Sequence, residues 1–352
     1  MTTFRTAVVT QILSERVGFQ RLEVRIDGEL ARAFNLTALT GDVHAGDQVI
    51  CNTTAVELGL GTGGWHVVHW NLRNTSLEIP SGGHIMKMRY SSLQTNTGAA
   101  EEFDPTSTDI TGIPIILCSL HSQMGTAAAA FAAESTKRFG TAKRLAYVMT
   151  DGASLPMAFS DLVHELRTKN LLCGTVTTGH AFGGEREAVT ILSGVGVAVR
   201  EFRADAIAVS MGPGVVGTGS KLGTTAIEVA PLVDGLRRLG AKPIVSLRAS
   251  SGDSRPRHHG ISHHGKTVLE LCEGAQVAVP VDEVDSVRAA LGSALENHQL
   301  VGVEVGDPGA MLDGYGLTIT SMGRGPGSDR AFFAFAAAAG VHAHVVSSTA
   351  IS

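Results

Sequence analysis

The segment Arg248-Ala249-Ser250-Ser251-Gly252-Asp253-Ser254-Arg255-Pro256-Arg257-His258-His259-Gly260-Ile261-Ser262-His263-His264 gathers three arginines, one aspartate and four histidines. Guanidinium forks grip oxyanions with two parallel hydrogen bonds. Imidazoles near neutral pH can move protons, contact anions or ligate a metal. Arg248, Asp253, Arg255, Arg257, His258, His263 and His264 therefore form a candidate ligand-binding set, with Ser262 placed to cap a following helix. The alternative is a solvated basic loop. His263 and His264 are neighbours, which on a helix face ~100° apart, and the spacing is not H-E-x-x-H. No metal or other cofactor is therefore assigned.

A second run, Met211-Gly212-Pro213-Gly214-Val215-Val216-Gly217-Thr218-Gly219-Ser220-Lys221, joins a predicted strand to a predicted helix. Gly212, Gly214, Gly217, Gly219 and Ser220 would let backbone N–H groups converge on an anion, with Lys221 neutralising charge. The spacing matches neither the Rossmann nor the P-loop pattern, and the same glycines would also serve tight packing. His121, Asp151 and His180 each follow a different predicted strand and are the candidate acid–base residues. Ser122 and Ser154 lie outside any G-x-S-x-G elbow, so a serine hydrolase is not indicated. His66, His69 and His84 are read as surface residues.

These residues need a scaffold that brings strand ends together. After Gly112 the hydrophobic pattern alternates between buried-strand runs and helical stretches, beginning with Ile113 to Leu120 and a helix over Thr126 to Phe139. Further strands are expected at Leu145 to Met149, Leu171 to Thr177, Ala206 to Ser210, Pro243 to Arg248, Gln276 to Val279 and Val301 to Val305. A last strand is expected near Leu317 to Thr320, and a helix over Glu185 to Phe202. Such alternation predicts an α/β fold with a mainly parallel, Rossmann-like sheet, buried on both faces. Ligands of such sheets sit at the carboxyl ends of the strands, where the residues named above fall.

The first ~75 residues instead show period-two alternation, as in Leu22-Glu23-Val24-Arg25-Ile26, with a hairpin signal at Asp27-Gly28. They predict a small β-barrel. The expected organisation is a β-barrel domain over 1–75, a connecting segment over 76–112 and an α/β domain over 113–352.

Composition limits the function classes. The chain has 352 residues, 43% hydrophobic and 17% charged, with a formal net charge of −5. Dominant disorder is excluded, and the acidic balance argues against a general nucleic-acid binder. The low charge fraction suggests a subunit interface, hence a homo-oligomer. Cys51, Cys118, Cys173 and Cys272 are widely spaced and read as buried thiols in a reducing compartment. No apolar run of signal-peptide length opens the sequence. The apolar stretch Ala331 to Val346, with His342 and His344, falls short of a membrane span. The expectation is a cytoplasmic protein without membrane or nucleic-acid partners.

Several ordered motifs together resemble one bacterial family, catalogued as domain of unknown function 3866. They are Asn52 to Gly64, His84-Ile85-Met86-Lys87-Met88-Arg89-Tyr90, Thr178-Gly179-His180-Ala181-Phe182-Gly183-Gly184, Met211 to Ser220 and Arg257 to His264. The resemblance spans nearly the whole chain. It implies a cytoplasmic bacterial protein and carries over no reaction. The residues themselves favour binding of a small anionic metabolite, phosphorylated or nucleotide-like, with His121, Asp151 and His180 available for acid–base catalysis. The alternatives are a non-enzymatic sensor or assembly protein that uses the barrel as an interaction module, and a metal-assisted hydrolase.

Overall fold

The computed structural model describes residues 1–60, 63–105, 108–139 and 143–349. Gly61 and Thr62 of the glycine-rich run, and Thr106 and Ser107 of the expected connecting segment, lie outside the described residues. The chain divides into two compact units, Met1–Gly98 and Ala99–Ser352.

The first unit is a closed barrel of β1 (Phe4–Arg16), β2 (Phe19–Ile26), β3 (Glu29–Asn35), β4 (Gln48–Asn52) and β5 (Trp65–Asn71), in the order β1-β2-β3-β5-β4. The hairpin between β2 and β3 turns at Asp27 (φ 51°) and Gly28 (φ 90°). Two positive φ angles are what a two-residue turn between twisted strands requires. β1 is long enough to pair with both β2 and β4, and bulges between Val9 and Gln11 and between Ile12 and Ser14 bend it around the barrel. Ala7, Val9, Leu22, Val24, Val49, Cys51 and Val68 fill the interior. His66, read from sequence as a surface residue, is buried on β5.

The second unit is an eight-stranded sheet whose pairings are all parallel. Its strands are β6 (Pro114–Cys118), β7 (Leu145–Thr150), β8 (Gly174–Thr177), β9 (Arg186–Glu187), β10 (Ala206–Met211), β11 (Lys242–Ser246), β12 (Gln276–Pro280) and β13 (Gln299–Val303). The order across the sheet is β9-β8-β7-β10-β6-β11-β12-β13. Alternation splits each central strand between two cores. Ile115, Leu117, Ile207 and Val209 face one; Ile116, Cys118, Ala206 and Ala208 face the other. Burial on both faces explains why these strands read as unbroken apolar runs.

Helices cover both faces: α1 (His121–Phe139), α2 (Asp161–Thr168), α3 (Ile191–Phe202), α4 (Val229–Arg238), α5 (His263–Glu270), α6 (Val284–Leu291), α7 (Pro308–Gly314) and α8 (Arg330–Thr349). Among the described residues, α8 is the one helix long and apolar enough to cross a membrane, longer than the Ala331–Val346 stretch suggested. In this fold it lies against α1 and the sheet, with Phe332, Phe333 and Phe335 buried.

Three elements differ from the sequence reading. α1 begins at His121, five residues before the expected Thr126, so β6 passes almost directly into the helix and His121 sits at the helix start. The stretch from Glu185 opens as the edge strand β9, and the helix begins only at Ile191, where Thr190 caps it by accepting from the Ser193 N–H. Leu317 to Thr320 is not a strand. Leu317 and Ile319 are buried while Thr318 and Thr320 are exposed, which is the alternation of a strand, but these side chains join the core on the α1 side.

Candidate functional site

Three adjacent strands, β10, β6 and β11, carry the site. From β6 the chain passes through α1 to β7 on one side of the sheet centre. From β10 it passes through α4 to β11 on the other. Connections that diverge in this way leave a crevice at the carboxyl ends of the strands. A cleft of ≈ 540 Å³ opens there, a volume within the range of small-molecule sites.

Most of the residues lining the cleft come from the segments that follow these strands. His121 and Ser122 follow β6, and Pro213, Gly214, Val215, Val216 and Gly217 follow β10. Arg248, Arg255, Arg257, His258 and His264 follow β11. Asp161 and Glu165 of α2, and Thr318 to Met322, also line it. Of the residues singled out from sequence, the cleft thus brings together His121, Gly214, Gly217, Arg248, Arg255, Arg257, His258 and His264. Gly212, Gly219, Ser220, Lys221, Asp253 and His263 are not part of that lining, nor are Asp151 and His180.

The basic segment is folded onto itself. Ala249–Ser250 pairs antiparallel with Gly260–Ile261, so residues 251–259 form a tight excursion at the sheet edge. Asp253 organises it. Its side chain is 2% exposed and meets three guanidinium groups: Arg255 at 2.7 Å, Arg324 at 3.3 Å and Arg248 at 3.4 Å. The hydrogen bonds from Arg255 hold the Asp253 carboxyl well below the ordinary carboxylate range, against the opposing effect of burial. Asp329 anchors the excursion from α8's side. It accepts from the Ser250 hydroxyl at 2.6 Å, the Ser251 N–H at 2.8 Å and Arg324 Nε at 3.0 Å. Burial alone would raise its pKa, but these bonds outweigh burial and the net shift is downward. Arg257 forms no ion pair among the described residues and faces the cleft.

The three histidines beside these arginines form one cluster. Ring centroids are 5.2 Å apart for His258–His263 and for His258–His264, and 4.0 Å apart for His263–His264. The sequence reading had the last two facing ~100° apart. They converge because His263 is the first residue of α5, where no preceding helical turn blocks its ring from tilting toward its neighbour. Burial and the nearby Arg248 and Arg255 push the His258 imidazole down to about 4. Burial, with His263 and the arginines adding to it, brings His264 to about 4 as well. His263 is shifted in the same direction, first by burial and then by Arg257 and Arg248.

The glycine-rich loop serves this cluster by close approach. A Cβ on Gly217 would stand 2.9 Å from His264 Cε1, nearer than carbon atoms sit in a packed interior. Several of the loop's own amides are spent internally: Thr218 N–H donates to the Gly223 carbonyl at 2.7 Å, and Ser220 N–H to the Thr218 hydroxyl at 3.2 Å. Lys221, expected to neutralise a ligand, pairs with Glu270 at 2.6 Å.

The acid–base candidates occupy different environments. His121 Nδ1 lies 3.1 Å from the Met211 carbonyl, so Nδ1 carries the proton and Nε2 accepts from the Ser160 hydroxyl at 2.7 Å. Burial pushes this imidazole down to about 4, despite the Met211 bond. Asp151 follows β7 and accepts the His180 backbone N–H at 2.9 Å, closing the turn after β8. Its ionisable neighbour is Glu228, which accepts from the Thr150 hydroxyl at 2.8 Å. Burial, with Asp151 adding to it, raises the Glu228 carboxyl to about 7.

Arg324, Asp329, Ser160 and Glu228 escaped the sequence reading as site residues. Arg324 alone had a visible signal, its place in Gly323-Arg324-Gly325-Pro326-Gly327, a polar glycine loop at the same sheet edge. The cysteines are free thiols, with Cys51, Cys118 and Cys272 buried. Burial raises Cys118 to about 12, which removes it from thiolate chemistry.

No curated protein and no solved structure matches the chain. The family model described as "Protein of unknown function (DUF3866)" matches residues 32–340. That match begins within β3, so it leaves out β1 and β2 of the barrel, but it takes in β4, β5, the whole parallel sheet, the cleft and the first half of α8. The chain belongs to the DUF3866 family.

Proposed function

We propose that this protein binds a small anionic metabolite, phosphorylated or nucleotide-like, in the cleft at the carboxyl ends of β10, β6 and β11. One observation carries the reading: three guanidinium groups, Arg248, Arg255 and Arg324, are gathered around only two carboxylates, Asp253 and Asp329, and a fourth, Arg257, lines the cleft with Arg248 and Arg255 without an ion pair among the described residues. A surplus of guanidinium held by a buried carboxylate is preorganised for an oxyanion, because the fork geometry is fixed before the ligand arrives. Asp161 and Glu165 line the same cavity. They favour a ligand that carries hydroxyl or amino donors as well as its anionic group, as a sugar phosphate or nucleotide does. If the ligand is turned over, acid–base work falls to His121, the one of the three acid–base candidates that lines the cleft.

A thermal-shift screen over phosphate, sulfate and nucleotides tests the reading. Wild type is expected to be stabilised by at least one of them, and Arg257→Ala to lose most of that shift while melting near wild type in buffer alone. A charge-assisted contact of about 1.5–3 kcal/mol corresponds to roughly one to two powers of ten in affinity. No shift in wild type with any anion would end the proposal.

A further inference from the structure

We propose that His258, His263 and His264 form a binding site for one divalent transition-metal ion of the zinc class. The inference goes beyond anion binding and stands on separate observations. One ring nitrogen from each of the three histidines lies within 4.8 Å of the others. Bonds of about 2.0–2.1 Å in a tetrahedron put ligand nitrogens roughly 3.3 Å apart, so the rings must close in by side-chain rotation. His258 and His264 are 2% and 6% exposed, so this is a built interior cluster rather than surface imidazoles.

The nitrogens are also sorted as ligation needs. His263 Nε2 and His264 Nε2 are buried and have no hydrogen-bond partner among the described residues. An unpartnered buried polar atom costs about 1–3 kcal/mol, and two of them in adjacent rings call for a group that is bound there. The other side of the His258 ring is held. His258 Nδ1 lies 2.9 Å from the Ser262 hydroxyl. Metal-bound histidines typically use one nitrogen for the ion and donate the other N–H to an oxygen that fixes the ring. The Ser262 hydroxyl fills that role for His258.

Three imidazoles, with no fourth protein ligand among the described residues, describe an open site, in which water or a ligand oxygen completes the shell. His258 and His264 both line the cleft. Arg248 and Arg257 act electrostatically on His263 and His264 and would oppose a second cation. An anion in the open position offsets that repulsion, so metal and anion should bind together.

The test uses the full chain, stripped with a chelator and dialysed against zinc sulfate, which supplies both the ion and an anion. Metal content is then measured, and the zinc shell is read by X-ray absorption on wild type. The expected result is one zinc per chain, with a shell of imidazole nitrogens and oxygen and no sulfur. The double variant His263→Gln/His264→Gln should lose stoichiometric uptake while keeping its circular-dichroism melt; should it fail to fold, the wild-type shell decides alone. The proposal is overturned by less than stoichiometric zinc in wild type, by a shell with sulfur or a single imidazole, or by wild-type uptake in the folded double variant. A sulfate thermal shift on chelated protein reports anion binding alone, so the two readings fail separately.

Discussion

Gly217 and His264 touch across the cleft wall: the glycine's missing side chain is the space that the His264 ring edge occupies, 2.9 Å from where a Cβ would be. The loop after β10 and the helix start after β11 are therefore fitted to each other at one atom pair. A glycine that in sequence looks like part of an anion cradle acts here to admit an imidazole.

Gly217→Ala should drive the His264 ring out of place. Overpacking of this kind costs roughly 1–3 kcal/mol, a fall of a few degrees in melting temperature for a unit of this size. In a His264→Ala background the same glycine substitution should cost much less, because the clashing ring is gone. A double-mutant cycle by denaturant unfolding measures the coupling; additive effects would show that the contact carries no energy.

Asp253→Asn should be the more damaging change. It strips the shared carboxylate from Arg248, Arg255 and Arg324 and leaves like charges facing one another. Removing one partner of a buried pair costs about 3–5 kcal/mol, less here because Arg255 and Arg324 are partly exposed. The sign with pH follows from the depressed carboxyl. Its stabilisation is complete above the unfolded pKa of about 3.9 and is lost as pH falls toward the folded value. The wild-type advantage over Asp253→Asn should therefore be full at pH 7 and shrink below about pH 4. Equal stability of the two proteins at pH 7 would refute the bridging role.

The parallel sheet was legible because burial on both faces leaves an unbroken run such as Leu145-Ala146-Tyr147-Val148-Met149, bounded by polar turns. Leu317 to Thr320 misled for the opposite reason: its alternation is real, but Leu317 and Ile319 join a helix-side core rather than pairing in a sheet. The basic segment announced itself by composition, and its position after β11 placed it at the sheet edge. What could not be read locally were partners far along the chain. Arg324 meets Asp253 across 71 positions, and Asp329 meets Ser250 across 79. The acid–base set diverged because strand order, not strand succession, sets neighbourhood. β7 and β8 lie beyond β10, which carries Asp151 and His180 away from His121.

The neutral histidines make a further pH signature. His121, His258 and His264 each stand at about 4 in the fold, against about 6.5 unfolded. The unfolded chain thus binds more protons than the folded one between those values, and stability rises with pH across that window. In the presence of a chelator, folding stability should fall steadily from pH 6.5 toward pH 4. The slope should be shallower in His258→Gln and in His264→Gln than in wild type. Identical slopes in all three proteins would show that these imidazoles titrate normally.

The most direct measurement of the central claim is native mass spectrometry of freshly purified protein, wild type beside Arg257→Ala. A cleft built to hold an anion should retain one from the cell. The account predicts a discrete mass excess on wild type, released on denaturation as a small anionic molecule and absent or much reduced in the variant. A wild-type spectrum at the bare chain mass, together with no thermal shift from phosphate, sulfate or nucleotides, would contradict it.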